Sequence, residues 1–210
     1  MQNRFLEALN SATPSLENQA LWRGTHSVVL PTLGMIVPNW FLIVPYLHTL
    51  NFAQQPAAAQ VEIPILASMI FDAVGVGDDD LLVFEHGAQN VGSPVGCGLD
   101  HAHVHVLVAS TSFVNAVWSA METALQTSST DMALAGLHHG VEVNQSYYLA
   151  WRRSRRLVEQ PAVDGLSQRF RRLVASTAGV PNHWDYRTHP CRENITKTVE
   201  AIHHRKPLAA

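Results

Sequence analysis

Residues 99 to 108 read LDHAHVHVLV, with histidine at 101, 103 and 105 and only alanine or valine between them. No other feature constrains the chain as strongly. Successive side chains on a strand point to opposite faces. A strand here puts His101, His103 and His105 on one face, and Ala102, Val104 and Val106 on a face suited to a core. A helix would spread the three imidazoles over about 200°. The β-branched spacers and the lack of internal glycine or proline favour the strand. Two chemistries suit three imidazoles on one face: metal ligation, or phosphate chemistry at a ring nitrogen. Adjacent members of the run can share a zinc ion, but the first and third lie about 13 Å apart on an extended strand. The nearest carboxylate, Asp100, faces the other way. Metal-dependent hydrolysis is therefore the weaker of the two readings, and no metal site is assigned.

The rest of the chain sets a frame for this strand. Residues 2 to 10 suit a short helix. The stretch from His26 to Val44 holds two or three β-rich runs broken by proline, as antiparallel strands would be. Residues 60 to 74 have helical apolar spacing, with Pro64 in or near the first turn, where proline is tolerated. Asp78 to Asp80 read as a solvated turn, and 81 to 86 as a buried strand. The glycine-rich loop 87 to 98 leads into the histidines. Such a loop lets backbone N–H groups approach an anion. Helices are expected over 112 to 126, over 166 to 179 with a glycine stop, and over 193 to 205. A strand is expected over 141 to 151, extended by RRSRR (152 to 156), which reads as a solvated strand end or turn. Strands early, with helices interrupting and following them, make an α+β fold with an antiparallel sheet and helices on one side. At 210 residues this is one domain, 1–210, with 20–110 as its core and 140–210 as an extension of it.

Composition narrows the partners. The net charge is −3 with His neutral, and no face-wide excess of Lys and Arg is evident, so nucleic acid is not expected. Cys97 and Cys191 lie far apart and form no CxxC pair, so neither a disulfide framework nor a zinc–cysteine site is suggested. The N-terminus has no long apolar h-region, and no run approaches about 18 apolar residues. A cytoplasmic protein with no membrane contact is the default expectation.

HAHVHVLV resembles the His-φ-His-φ-His-φ-φ signature of the histidine-triad (HIT) superfamily, where φ is apolar. The segment from Leu30 to Leu50 resembles the family's hairpin ending in Pro-x-x-His, here Pro45 to His48. Asn90 to Gly92 resembles the Asn-x-Gly ahead of the triad in hydrolase members. FEHG and GCG are similar to segments of galactose-1-phosphate uridylyltransferases. The resemblance implies attack on the α-phosphorus of a nucleotide conjugate, a nucleotidyl-histidine intermediate, and its resolution by water or another acceptor. It makes His103 the nucleophile, with His105 at a phosphate oxygen and the leaving group. His101 fixes the strand and orients the nucleophile, and His48 lies near the same phosphate. Asn90, and the backbone of Gly96, Cys97 and Gly98, would meet the phosphate. Imidazole suits this role because it is neutral and nucleophilic near pH 7. No cofactor is implied. The expected substrates are dinucleoside polyphosphates, nucleoside phosphoramidates or nucleotide sugars.

Departures from the pattern matter. Gly-Gln-Ser, common before the triad in hydrolases, is Gly96, Cys97 and Gly98 here, which leaves the leaving-group preference open. The third triad member is histidine rather than the glutamine of the transferases and phosphorylases, which favours hydrolysis over nucleotidyl transfer. A non-catalytic nucleotide sensor is the third alternative. Farther on, Arg171 and Arg187 are candidates to clamp a distal phosphate or carboxylate, since a guanidinium fork suits such groups, and Asp185 to hold an arginine. His138, His139, His203 and His204 read as surface residues. The resemblance also implies a homodimer through the helix before the triad, whose PILASMIFDAV is apolar.

Overall fold

The computed structural model describes residues 4–96, 99–127, 130–131, 137–162 and 166–205. Within them the chain forms, in order, α1 (Arg4–Asn10), β1 (Trp22–Arg23), β2 (Ser27–Pro31), β3 (Trp40–Pro45), α2 (Ala57–Val74), β4 (Asp79–Gly87), β5 (Val104–Ser110) and α3 (Thr111–Leu125). There follow β6 (Thr130–Asp131), β7 (Tyr147–Arg152), β8 (Arg155–Glu159), α4 (Arg169–Thr177) and α5 (Arg192–Arg205). The strands make one sheet in the order β1-β2-β3-β5-β4-β7-β8-β6, and every neighbouring pair is antiparallel. The fold is α+β. β7 pairs with the central β4, so the C-terminal third and the N-terminal half share one sheet.

Register assigns the faces. Leu42 and Phe84 both pair with His105, and Ala150 pairs with Phe84. Directly paired residues share a face, so these side chains lie with the histidines, and Ile43, Val104, Val83 and Trp151 lie on the other. Helices cover both faces rather than one. The ring of Phe5 in α1 packs on His101 and His103, and that of Phe170 in α4 on Phe84 and His86. The 3₁₀ turn Phe52–Gln54 sits opposite, where the Phe52 amide donates to Glu85 Oε1, and leads into α2. The reason is that the central strands are apolar on both sides. Leu82, Val83 and Phe84 are all fully buried, as are Val104 and Val106, and each such side chain contributes about 1.5–3 kcal/mol only if it is covered.

α2 starts at Ala57, so Pro64 falls inside the helix and not in its first turn. Three alanines after Pro56, the best helix formers, extend the helix by a turn, and the apolar side chains it buries on either side of Pro64 offset the proline's missing N–H. At 18 residues and mean hydropathy 1.5, α2 is by length and composition alone apolar enough to cross a membrane, although Gln60, Glu62 and Asp72 interrupt it and it holds no unbroken run of about 18 apolar residues. Here it works as a packing helix. Ile63, Leu66, Ala67 and Ile70 are buried, and the Glu62 carboxylate accepts from the amides of Thr25 and His26.

The Asp78–Asp80 stretch is not wholly a solvated turn. Asp79 and Asp80 open β4, and Asp80 is buried. Burial pushes its carboxyl up, but the hydrogen bonds from Arg152 and the Leu81 amide, with Arg152's charge, hold it below the ordinary value. Arg152 grips Asp80 through Nε at 2.9 Å and Nη2 at 2.5 Å. RRSRR is the β7–β8 hairpin, turning at Arg153 and Ser154.

Candidate active site

β5 begins at Val104, so His105 lies in the strand while His101 and His103 lie in the segment leading into it. That segment is held by its own bond, the Ala102 amide donating to Thr49 O at 2.7 Å. The alternation still puts the imidazoles together: the rings of His103 and His105 are 5.2 Å apart. All three are buried, at 2%, 6% and 3% exposure.

Each ring is oriented by a partner that can only accept or only donate, and this fixes the protons. His103 Nδ1 lies 2.9 Å from His101 O. A carbonyl only accepts, so Nδ1 carries the proton and the Nε2 of the neutral ring keeps its lone pair. His101 Nε2 in turn donates to Pro45 O at 3.0 Å. His105 has the reverse arrangement. Trp40 Nε1, a donor only, reaches His105 Nδ1 at 3.2 Å, so His105 bears its proton on Nε2. Burial, with the nearby charge on His48, lowers the pKa of His101 despite its bond to Pro45.

His103 and His105 line a cleft of about 310 Å³ that opens to solvent. Thr32, Leu33 and Leu42 from the β2–β3 region, with Leu99, form one side, and Arg171 and Tyr186 the other. Arg171, in α4, is 2% exposed. Its Nη2 donates to Gly34 O at 2.6 Å and its Nε to Trp184 O at 3.1 Å, and its guanidinium lies 4.7 Å over the Trp40 ring. Gly34 has φ +70, and a Cβ there would meet Arg171 Nη2 and Tyr186 Cβ at 2.6 Å. The position therefore requires glycine, for backbone freedom and for close approach.

The remaining candidates separate. His48 does not line the cleft. It stands behind His101, ring to ring at 5.0 Å, and donates from Nε2 to Asp100 O at 2.6 Å. Asp100 also ties down the glycine loop by accepting the Gly92 amide at 2.8 Å. Asn90 is exposed in the turn that loop makes. Gly96 is buried because a Cβ would press on Ala88 at 2.9 Å. Cys97 and Gly98 lie outside the described residues. Arg187 is at the rim, stacked on Tyr186 at 4.6 Å and 3.6 Å from Asp185.

Several residues not singled out in the sequence belong to this region. Phe5 roofs His101 and His103, and Trp40 orients His105. His86 lies two residues beyond Phe84 on the same face, 5.9 Å from His105, and its Nε2 accepts the Phe170 amide at 3.0 Å, capping α4. Burial, then the charges of His103, Arg171 and Arg169, depress its pKa well below the ordinary histidine value. Its signal was the period of two from Phe84 in FEHG. His138 is buried rather than superficial. It bonds Glu85 Oε2 at 2.7 Å, and Tyr147 donates to the same oxygen at 2.8 Å, on the face away from the cleft. Burial, then Glu85's charge, raises the Tyr147 phenol well above its usual range.

Among the described residues no three His, Cys, Asp or Glu side chains converge as a metal-binding group. No family model and no curated protein matches the chain.

Proposed function

We propose that this protein is a nucleotide-conjugate hydrolase of histidine-triad type, acting at the α-phosphate through a covalent nucleotidyl-histidine. The observation that carries the reading is the His103–His101 hydrogen bond, which fixes a lone pair on His103 Nε2 in a cleft that also holds Arg171. In the first step the Nε2 lone pair forms a bond to phosphorus, and the bond to the leaving group breaks with its electron pair. The Nδ1 proton stays in its hydrogen bond to His101 O, so the positive charge that develops on the ring is met by a carbonyl dipole. Water then attacks phosphorus, the N–P pair returns to Nε2, and the water's proton passes to solvent. His105 Nε2–H and Arg171 supply donors to the phosphate oxygens.

The reading includes a homodimer. Val61, Ile65 and Met69 are 59%, 56% and 44% exposed along one stripe of α2, where a second copy would cover them. The cytoplasm is the proposed compartment, which suits the free thiol of Cys191. Intact-mass spectrometry after brief exposure to a panel of nucleotide conjugates tests the chemistry. The expected result is an added nucleotidyl mass on His103, lost in His103→Ala and indifferent to a strong chelator. Wild-type turnover in His103→Ala, or turnover lost to chelator and restored by zinc, would overturn it.

A further inference from the structure

We propose that the β7–β8 hairpin and α3 form a second binding site, for a polyphosphate anion, apart from the histidine cleft. The proposal does not depend on the covalent-histidine reading.

A groove of about 520 Å³, open to solvent, is lined by Arg152, Arg153, Ser154 and Arg155 of the hairpin and by Asn115 and Trp118 of α3. Sites for small molecules commonly span about 300–1,000 Å³. The groove and the histidine cleft share no lining residue. Asp80, which Arg152 and Arg153 hold, pairs with Ala109, while Phe84 pairs with His105. Those two pairs are separated by about 13 Å along the strands.

The hairpin gathers cations where its own folding disfavours them. Arg152 and Arg155 are direct cross-strand partners, so two guanidiniums rise on one face against their mutual repulsion. Arg153 stands in the turn between them at φ +52, a backbone state that glycine or asparagine adopts more cheaply. Carboxylates answer this charge only in part. Arg152 Nη2 and Arg153 Nη2 share one oxygen, Asp80 Oδ2, at 2.5 Å and 3.1 Å. Arg155 lies 3.9 Å from Glu122, at the outer limit of an ion pair. The side chains of Arg153 and Arg155 are 67% and 56% exposed, so both can turn to a ligand without leaving a buried bond. The frame beneath them is fixed: Trp151 Nε1 donates to Arg153 O at 2.6 Å, and Arg152 is anchored on Asp80. Such preorganisation lowers the cost of binding.

The ligand class follows from the donors. Guanidinium forks match phosphate oxygens in pairs, and three of them around one turn suit linked phosphates carrying several charges better than a single carboxylate. Such a chain occurs free or as the tail of a nucleotide. In the second case the Trp118 ring and the Asn115 amide, in the same groove, would meet the base.

The test follows the indole N–H resonance of Trp118, assigned by its absence in Trp118→Phe. The protein is titrated with tripolyphosphate and, separately, with a nucleoside triphosphate, at constant ionic strength. A saturable shift is expected with both. Equal affinities assign the site to the phosphate chain alone, and tighter nucleotide binding adds the base. Arg153→Gln and Arg155→Gln, singly and together, should each weaken binding by about 10-fold or more, the factor carried by one charge-assisted hydrogen bond. Both residues are exposed, and an unchanged circular dichroism spectrum checks the fold. No shift with tripolyphosphate, or undiminished affinity in the folded double variant, overturns the proposal. So does equally strong displacement by sulfate or by a glutamate-rich peptide, which would mean a site for any anion; these competitions use the wild-type protein and decide the matter even if a variant fails to fold.

Discussion

His86→Gln isolates one buried titration. His86 faces His103 and His105 from the triad segment, Arg169 and Arg171 from α4, and Tyr148 from β7. It must be neutral to accept the Phe170 amide. Its pKa is depressed in the folded state, so above the unfolded value near 6.5 both states are neutral there and no penalty arises. As pH falls below about 6.5 the unfolded chain takes up a proton that the folded chain refuses. Stability is then lost at about 1.4 kcal/mol per pH unit, until the depressed folded value is reached. Glutamine cannot titrate, and its amide oxygen can take the place of Nε2 as the helix cap. The difference in unfolding free energy between wild type and His86→Gln should therefore move by about 1.4 kcal/mol in favour of the variant from about pH 7.5 to about pH 5.5. His101, also depressed, leaves both proteins with a residual slope. His86→Phe is the contrasting variant: it orphans the buried Phe170 amide and should cost about 1–3 kcal/mol already at about pH 7.5. Urea unfolding at the two pH values reads all three. Parallel pH dependence in wild type and His86→Gln would refute a neutral, helix-capping His86.

Gly87→Ala should destabilise by about 3 kcal/mol or more, because a Cβ there lies 2.2 Å from the buried Tyr147 ring and neither strand can yield; chemical unfolding measures it, and a change under about 1 kcal/mol, the size of an ordinary substitution, would contradict this packing. Ile65→Lys should convert a two-chain particle into a single chain by light scattering at micromolar concentration, with helicity unchanged; a wild-type mass of one chain would remove the α2 dimer.

What the sequence revealed was local. The period of two gave the histidine face, and the runs at Ser27–Pro31 and Trp40–Pro45, the helix at Thr111–Leu125 and the glycine stop after α4 all follow from short-range rules. What it hid was pairing across distance. Asp80 reads as solvent-facing until Arg152, 72 residues on, is laid beside it by β4 and β7. His138 looks like a surface residue until Glu85, 53 residues earlier, meets its Nε2 in the core. Arg171 and Arg187 look alike in sequence. Their separation into a buried cleft wall and a rim residue depends on α4 carrying Phe170 and Val174 into the core beside Arg171. The flanking glycines read as phosphate donors, yet Gly96 is explained by its packing on Ala88.

The burial of the triad changes what the nucleophile assignment demands. On an exposed strand, His103→Ala would be a clean deletion. Here the ring sits under Phe5 and beside His105, so its loss opens space in a packed region and carries a stability cost as well. Activity loss in that variant must therefore be read beside its unfolding curve. The same burial explains why the two ends of the chain matter. Phe5 from α1 closes over the histidines from one side, and Arg171 with Tyr186 from the C-terminal third closes the cleft from the other. Between these walls the room for water centres is about 20 Å³, enough for one or two waters, so a phosphate seated against His103 Nε2 asks a wall to yield. Arg171 is fixed in α4 and bound to two carbonyls, and Phe5 is fully buried. Tyr186 is only partly buried and lies on a turn outside any helix or strand. Leu33 and Leu99, also in the cleft wall, are likewise partly buried and outside any helix or strand, so these loop residues are the walls that can yield at least cost, and their yielding leaves the cation and the nucleophile where the chemistry needs them.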